Sequence, residues 1–286
     1  MKRILIQLDT DEQPSVFDRV VAVDSEVDQL FSYGGVTPDT VTGLVHGAMF
    51  TRGVPDLQNT AIFIGGSDVA AGEALLKKVC KTFFGPVRVS VLMDSNGSNT
   101  TAAAAVLAAR KHLTLAGCEA LVLPGTGPVG QRAAQLLAAA GATVRLASRT
   151  ADKAERIAAV VRESTPGAKV TAVATGLLSE LQAAVAGVQL VIAAGAAGVE
   201  LLPADIWTTL PDLKVVVDLN AVPPLGIAGV EAMDKGKERN GKFCYGALGV
   251  GGMKMKIHRA AVRKLFESNS QVLDTAAIYQ IGESLS

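Results

Sequence analysis

Six residues, Gly125-Thr126-Gly127-Pro128-Val129-Gly130, carry the clearest chemistry in this 286-residue chain. They follow the apolar run ALVLP (120–124) and open the helix-like stretch PVGQRAAQLLAAAG (128–141). A GxGxxG alone is a weak signal; between a strand and a helix it fits the pyrophosphate of a dinucleotide. The first glycine permits the tight turn, the second lets backbone approach the phosphates, and the third lets helix and strand pack closely. The helix start then presents unpaired N–H groups and a positive dipole end to the anion. An ordinary glycine turn in a βα unit is the plainer alternative.

The end of the next strand-like run, TVRLAS (143–148), separates the two common dinucleotides. NAD sites place an acidic residue there, on the ribose 2′-OH. Here stand Ser148, Arg149 and Thr150. A carboxylate would repel the 2′-phosphate of NADP, whereas a guanidinium pairs with it in bidentate fashion. Ser148 and Thr150 add hydroxyls, and Lys153 lies one turn on. The set favours NADP over NAD. A solvated Arg149 and a helix-capping Thr150 are compatible with the same residues.

Ligands of doubly wound sheets sit beyond the carboxyl ends of the strands. That rule selects further loops. The segment 94–101 (DSNGSNTT) follows VRVSVLM (87–93) and brings Asp94, Ser95, Asn96 and Ser98. Cap-and-turn duty and ligand contact remain equal alternatives for it. After ILIQLD (4–9) come Asp9, Thr10 and Asp11, then Ser15, Phe17 and Asp18, a set able to hold a flat heterocycle. Gly65-Gly66-Ser67-Asp68 follows AIFI, with Asp68 in the place of a helix N-cap. Ala194 closes the run LVIAA (190–194) on the cofactor side, and Asn220 in DLNAVPP (218–224) either reaches the nicotinamide end or forms a turn before the prolines. Residues 246–252 hold four glycines, which allow backbone, Gly249 included, to lie against a flat ring. Lys254 and Lys256 follow; at i and i+2 on a helix they face different ways, so at least one is solvated. No GxSxG and no Cys–His pair appears, so the chemistry resides in a cofactor, with the protein supplying position and electrostatics.

The elements that must position these residues alternate. Strands are expected at 4–9, 19–24, 60–66, 87–93, 120–124, 143–148, 169–173, 190–194 and 215–220. Helices are expected over 68–84, the alanine-rich stretch from about 102, 128–141, 151–164 and the stretches after 251, with 246–252 as a return crossing. The alternation predicts βαβ units with mostly parallel sheets. The fold expected is α/β, two α/β domains with a cleft between them, the second a Rossmann-type doubly wound parallel sheet. The first covers 1–100 and is completed by C-terminal helices at about 253–286; the second covers 101–252.

Composition narrows the function. Lys plus Arg and Asp plus Glu both number 27, so no basic excess points to nucleic acid. Hydrophobic residues at 49% supply a core, and aromatics at 4% leave it to aliphatic side chains. Three scattered cysteines and three histidines form neither a disulfide framework nor a zinc pattern, so no metal is expected. The N-terminal apolar run, ILIQL, is too short for a signal peptide. The apolar stretch 183–202 contains internal glycines and Gln189, and divides into a helix end, a buried strand and a loop rather than a membrane span. A cytoplasmic protein is expected.

The segments LDTDEQPSVFD (8–18), YGGVTPDTV (33–41), AIFIGGSDVAAGE (61–73), FFGPVRVSVLMDSNGSNTTAAA (83–104), GTGPVGQRAA (125–134), VVDLNAVPPLGI (216–227), DKGKE (234–238) and GALGVGGMKMKIHRA (246–260) together resemble the NADP-dependent methylene-tetrahydromethanopterin dehydrogenases of methylotrophic bacteria. DSNGSNTT and NAVPPLGI are far more specific than the GxGxxG. The resemblance implies hydride transfer from the methylene carbon of a reduced pterin to C4 of NADP, giving a methenyl cation, in one-carbon metabolism. No proton moves in that step, in keeping with the lack of an acid–base pair. It implies that Phe17 flanks the pterin, that Asp94 or Asp18 faces the developing cation, and that Lys254, with Lys256 second, stands near the reacting centre. It also implies a homo-oligomer, a trimer among the options, and some relatives accept tetrahydrofolate as well. The chain departs from the family at Ser148-Arg149-Thr150, where a Gly-Arg-Lys-like stretch is usual: the arginine is kept and the adjacent lysine is not.

Two other functions compete. A shikimate-dehydrogenase-like NADP enzyme would need a Lys/Asp pair in the first domain, whose lysines are Lys2, Lys77, Lys78 and Lys81. A non-catalytic NADP sensor would bind cofactor without turning over a pterin.

Overall fold

The computed structural model describes residues 1–286. Along the chain lie β1 (Ile4–Asp9), α1 (Val16–Val23), β2 (Gln29–Tyr33), α2 (Val41–Phe50), β3 (Thr60–Gly65), α3 (Val69–Thr82), β4 (Ser90–Met93) and α4 (Ser98–Arg110). There follow β5 (Glu119–Leu123), α5 (Pro128–Ala139), β6 (Thr143–Ser148), α6 (Ala151–Ser164), β7 (Lys169–Ala174), α7 (Leu178–Val185) and β8 (Leu190–Ala193). The chain ends with α8 (Ala204–Trp207), β9 (Val215–Asp218), β10 (Lys235–Arg239), β11 (Lys242–Tyr245), α9 (Ala247–Lys264), β12 (Val272–Leu273) and α10 (Thr275–Ser284). Two compact units result: Met1–Thr100 with Met255–Leu285, and Thr101–Lys254.

The first unit holds a five-stranded, wholly parallel sheet in the order β12-β4-β3-β1-β2. Its central strands are buried on both faces, which is why β1 and β3 read as near-continuous apolar runs. One face packs Ile62, Ile64 and Leu8 against Val45, Met49, Leu75 and Val79 of α2 and α3. The edge strand β2 instead alternates exposed and half-buried residues.

The second unit holds a seven-stranded sheet, β10-β11-β9-β8-β5-β6-β7. Read from β7 through β11, this is the doubly wound parallel order in which the third, second and first strands precede the fourth, fifth and sixth. β10 joins antiparallel at the edge. Its charged sequence KGKER blunts that edge against further pairing. The core beneath the sheet is aliphatic except for Cys244 and Trp207; the Trp207 Nε1 donates to the Ala228 carbonyl oxygen at 2.9 Å.

Two expectations are corrected. Residues 19–24 are not a strand: 19–23 lie in α1 and Asp24 is its C-cap. Their β-branched valines mimic a strand, but Ser15 caps the helix by accepting the Asp18 N–H at 3.2 Å. The second strand is Gln29–Tyr33, a short edge strand with a weak apolar pattern. Residues 246–252 are no crossing: α9 begins at Ala247. Gly246 and Gly249 are small because a β-carbon there would stand 2.0 Å from the Glu231 and 1.8 Å from the Asp234 carbonyl oxygens. Packing of the helix on backbone is by itself enough to require a glycine at 249. The stretch 183–202 resolves into the end of α7, β8 and a loop, and no helix is long and apolar enough to cross a membrane.

Candidate functional site

In the second unit the chain runs from β5 outward through β6 and β7, then returns to lay β8 and β9 on the other side. The order therefore reverses between β5 and β8, where such sheets bind ligands. Gly125 to Gly130 sit at the carboxyl end of β5. The three glycines have different reasons to be glycine. A β-carbon on Gly125 would meet Leu146 Cγ at 2.4 Å, and one on Gly130 would meet the Pro124 carbonyl oxygen at 2.6 Å. At Gly127 the nearest atom would be the Ala194 carbonyl oxygen, at an ordinary 3.7 Å, and its φ of −82° suits any residue. Packing within the chain demands the first and third glycines but not the second. Gly127 is also the N-cap of α5 and brings no side-chain cap, so the first N–H groups of that helix are left for an external acceptor. Thr126 and Val129 are half-buried beside it, and Pro128 occupies the first helical position. Ala194 lies just beyond β8, its N–H donating to the Leu123 carbonyl oxygen at 3.0 Å.

The residues after β6 divide by burial. Ser148 is buried, and its carbonyl oxygen accepts both the N–H (2.8 Å) and the Oγ1–H (3.2 Å) of Thr175. Arg149, Thr150 and Lys153 are exposed. Thr150 occupies the N-cap of α6, but its hydroxyl makes no capping hydrogen bond. Two hydroxyl- and charge-bearing side chains thus stand open on this rim, with Lys153 one turn along.

Asn220 is buried and braces its own loop. Its Nδ2–H donates to the Pro224 carbonyl oxygen at 3.2 Å, and its Oδ1 accepts the Val222 N–H at 3.0 Å. Asp218, at the end of β9, accepts the N–H groups of Asn220 (3.0 Å) and Ile227 (2.8 Å). Burial raises its carboxyl above the ordinary value, and these backbone bonds draw it part of the way back. On α9, Lys254 is half-buried and Lys256 exposed, as their i and i+2 spacing requires. Burial pushes the Cys118 thiol up to about 11 and the Cys244 thiol up to about 12, so neither supplies a thiolate nucleophile.

In the first unit the reversal falls between β1 and β3. The loops at that end are cross-tied. The buried Asp9 carboxylate accepts Gln7 Nε2–H (3.2 Å) and the N–H groups of Asp11 (3.0 Å) and Ser15 (3.0 Å). Gln7 in turn accepts the Ser32 hydroxyl at 2.8 Å. Asp11 spans to the loop after β3, taking the Ser67 N–H at 3.0 Å and its Oγ–H at 2.9 Å. These fasteners were hidden in sequence because they join residues as far as 56 positions apart. Asp9 and Asp11 carried only their place at a strand end as a signal.

This bracing sets α1, with Ser15 at its cap, Asp18 half-buried in its first turn and Phe17 51% exposed. The Phe17 ring lies 6.3 Å from that of His258, which stacks on Phe63 at 5.7 Å. Asp94 is fully buried and caps α4: its carboxylate accepts the N–H groups of Asn99 (2.9 Å) and Thr100 (3.1 Å) and the Thr100 hydroxyl (2.6 Å). Ser95 and Ser98 are buried and bond to the carbonyl oxygens of Gly65 and Ser95. Asn96 is exposed, with φ of +54°. The polar run 94–101 is thus largely the start of a helix, with Asn96 its outward-facing member. Lys77, Lys78 and Lys81 lie in the second half of α3 and Lys2 precedes β1, all away from the strands' carboxyl ends.

Residues 16–96 match a family model described as methylene-tetrahydromethanopterin dehydrogenase, N-terminal. Over 286 residues, 99% of each chain, the sequence is 49% identical to the bifunctional protein MdtA of Methylorubrum extorquens. It is 32% identical to that organism's NAD(P)-dependent methylenetetrahydromethanopterin dehydrogenase, over 98% of this chain and 97% of the relative. Among solved structures, the quinate dehydrogenase of Corynebacterium glutamicum in complex with NAD aligns over 99% of both chains with a TM-score of 0.53 and 13% identity, a likeness of fold.

Proposed function

The chain belongs to the methylene-tetrahydromethanopterin dehydrogenase family, and on that premise we propose that it oxidises methylene-tetrahydromethanopterin by hydride transfer to NADP, in one-carbon metabolism. The observation that carries the cofactor half is Gly127. Nothing in the chain requires a glycine there, whereas a pyrophosphate lying against its backbone does. Bound NADP supplies the hydride acceptor, C4 of its nicotinamide.

The chain's own residues hold and orient. The open N–H groups of α5 take the pyrophosphate. Arg149 and Thr150, with Lys153 behind them, take the 2′-phosphate. Ala194 lines the nicotinamide side, and Asn220 shapes the loop beyond β9. Ser15, Phe17, Asp18 and Asn96 contact the pterin, with Phe17 against its ring. Asp94, Ser95 and Ser98 hold that loop from beneath. Lys254, half-buried on α9, orients the pterin near the reacting carbon, and Lys256 is the solvated neighbour. The methylene carbon loses hydride and the positive charge spreads over the two flanking nitrogens. No side chain need exchange a proton, so the acceleration comes from aligning two rings. We take the working protein to be a cytoplasmic homo-oligomer.

The test is the initial rate of NADP reduction with methylene-tetrahydromethanopterin, repeated with methylene-tetrahydrofolate and with NAD. Rapid NADPH formation with the methanopterin substrate is expected. No reduction with either pterin, by protein shown to bind NADP, overturns the proposal in favour of a sensor.

A further inference from the structure

Helix α9 carries five cations, Lys254, Lys256, Arg259, Arg263 and Lys264, and no acidic residue. The whole chain is neutral, with 27 basic and 27 acidic residues, so this concentration is local. The inner face of the helix is accounted for by packing: Ile257, His258, Ala261, Val262 and Leu265 are buried. Opposite them Lys256, Arg259 and Arg263 recur at i, i+3 and i+7, which sets them on one face. Lys256 and Arg263 are exposed and Arg259 is half-buried. Lys264, on the flank, pairs with Glu267 at 2.8 Å, but the three cations of the outer face make no ion pair. Like charges at this spacing destabilise a helix. The dipole at the helix C-terminus offsets that for Arg263 but not for Lys256 or Arg259. Nothing within the chain therefore explains the stripe.

The stripe starts beside the aromatic residue assigned to the pterin. The Phe17 ring lies 6.3 Å from that of His258, which falls between Lys256 and Arg259 in α9. All of these residues belong to the first unit. We propose that Lys256, Arg259 and Arg263 bind the acidic tail of the one-carbon carrier whose ring lies against Phe17. The inference rests on the pterin reading above and deepens it. Reduced pterin carriers end in a flexible run of acids: γ-linked glutamates in tetrahydrofolate, a phosphate joined to a dicarboxylate in tetrahydromethanopterin. The shared chemistry is a series of anions, and an unpaired arginine takes a carboxylate or a phosphate in the same bidentate way. From Lys256 to Arg263 the helix rises about 10 Å, enough to meet successive acid groups. Contacts so far along the carrier hold it without entering the hydride step.

The probes are methylene-tetrahydrofolate with one and with five glutamates, and methylene-tetrahydromethanopterin, each oxidised with saturating NADP. The wild type is compared with two double variants, Arg259→Gln with Arg263→Gln and Arg259→Lys with Arg263→Lys. In the wild type KM is expected to fall by about tenfold from one glutamate to five, since exposed ion pairs are worth up to about fivefold each. The glutamine variant should abolish that gain and raise KM for the methanopterin substrate by about fivefold, with kcat and the melting temperature held. The lysine variant should keep most of both effects, and high salt should remove them. A loss seen with one carrier alone assigns the stripe to that carrier's tail. Unchanged KM values for all three substrates in the glutamine variant overturn the proposal. So does an equal rise for one and five glutamates, which shows that the arginines do not hold the tail. If the wild type reduces NADP with none of the three, the function proposed above fails rather than the tail site alone.

Discussion

The β-carbon that Gly130 lacks would sit 2.6 Å from the carbonyl oxygen of Pro124, while the one Gly127 lacks would meet nothing closer than 3.7 Å. Two glycines of one motif therefore fail differently. Gly130→Ala must push α5 off β5, with an expected loss of about 1–3 kcal/mol of stability. Gly127→Ala should fold with an unchanged melting temperature and bind NADP at least about tenfold more weakly, because its methyl group enters the space kept for phosphate. Thermal melts and NADP titrations of both variants check this. Equal melting temperatures with equal affinities would count against the assignment of either glycine.

Arg149→Ala should weaken NADP far more than NAD. A charge-assisted hydrogen bond is worth roughly 1.5–3 kcal/mol, so a loss of about ten- to a hundredfold for NADP is expected. NAD, lacking the 2′-phosphate, should lose little beyond any stacking contact. Equal losses would show that Arg149 does not contact that phosphate.

Asp94 gives a choice between two roles. Its carboxylate takes three donors at the start of α4. Asp94→Ala leaves those donors buried and should cost about 2 kcal/mol or more. Denaturant unfolding measures it. A variant of native stability with no turnover would instead assign Asp94 to the reacting pterin.

His112 makes the second unit sensitive to mild acid. Its ring stacks on Phe243 at 3.8 Å, and its Nε2 is 2.8 Å from the Tyr245 hydroxyl. Burial lowers its pKa below the usual 6.5, with Lys111 adding to the effect. The unfolded chain then takes up the proton first, so stability is present above pH 6.5 and declines as pH falls below it. His112→Gln, which does not titrate, should flatten that part of the melting-temperature profile. An unchanged profile would remove His112 as its source.

The parallel fold was legible because its central strands are continuous apolar runs and its helices carry a period. The βα turn at 125–130 was legible because glycine spacing there is local. What stayed hidden depends on distance. β2 has only an edge strand's weak alternation, and α1 looks like a strand until Ser15 is seen capping it. The helical fate of 246–252 depends on carbonyl groups of Glu231 and Asp234, which no local pattern announces. The Asp9–Ser15 and Asp11–Ser67 ties are likewise side chain to distant loop. The polar run 94–101 left two roles open, since capping and ligand contact call for the same residue types.

The first sheet is completed from both ends of the chain: β12 pairs with β4 through Val272 and Val91, and the Thr275 hydroxyl donates to Asn99 Oδ1 at 2.7 Å. In chain order the second unit, residues 101–254, is complete before the first gains its fifth strand and closing helix. Closing so long a separation is slow. Until residues 272–284 are in place, β4 is an unpaired edge open to wrong partners.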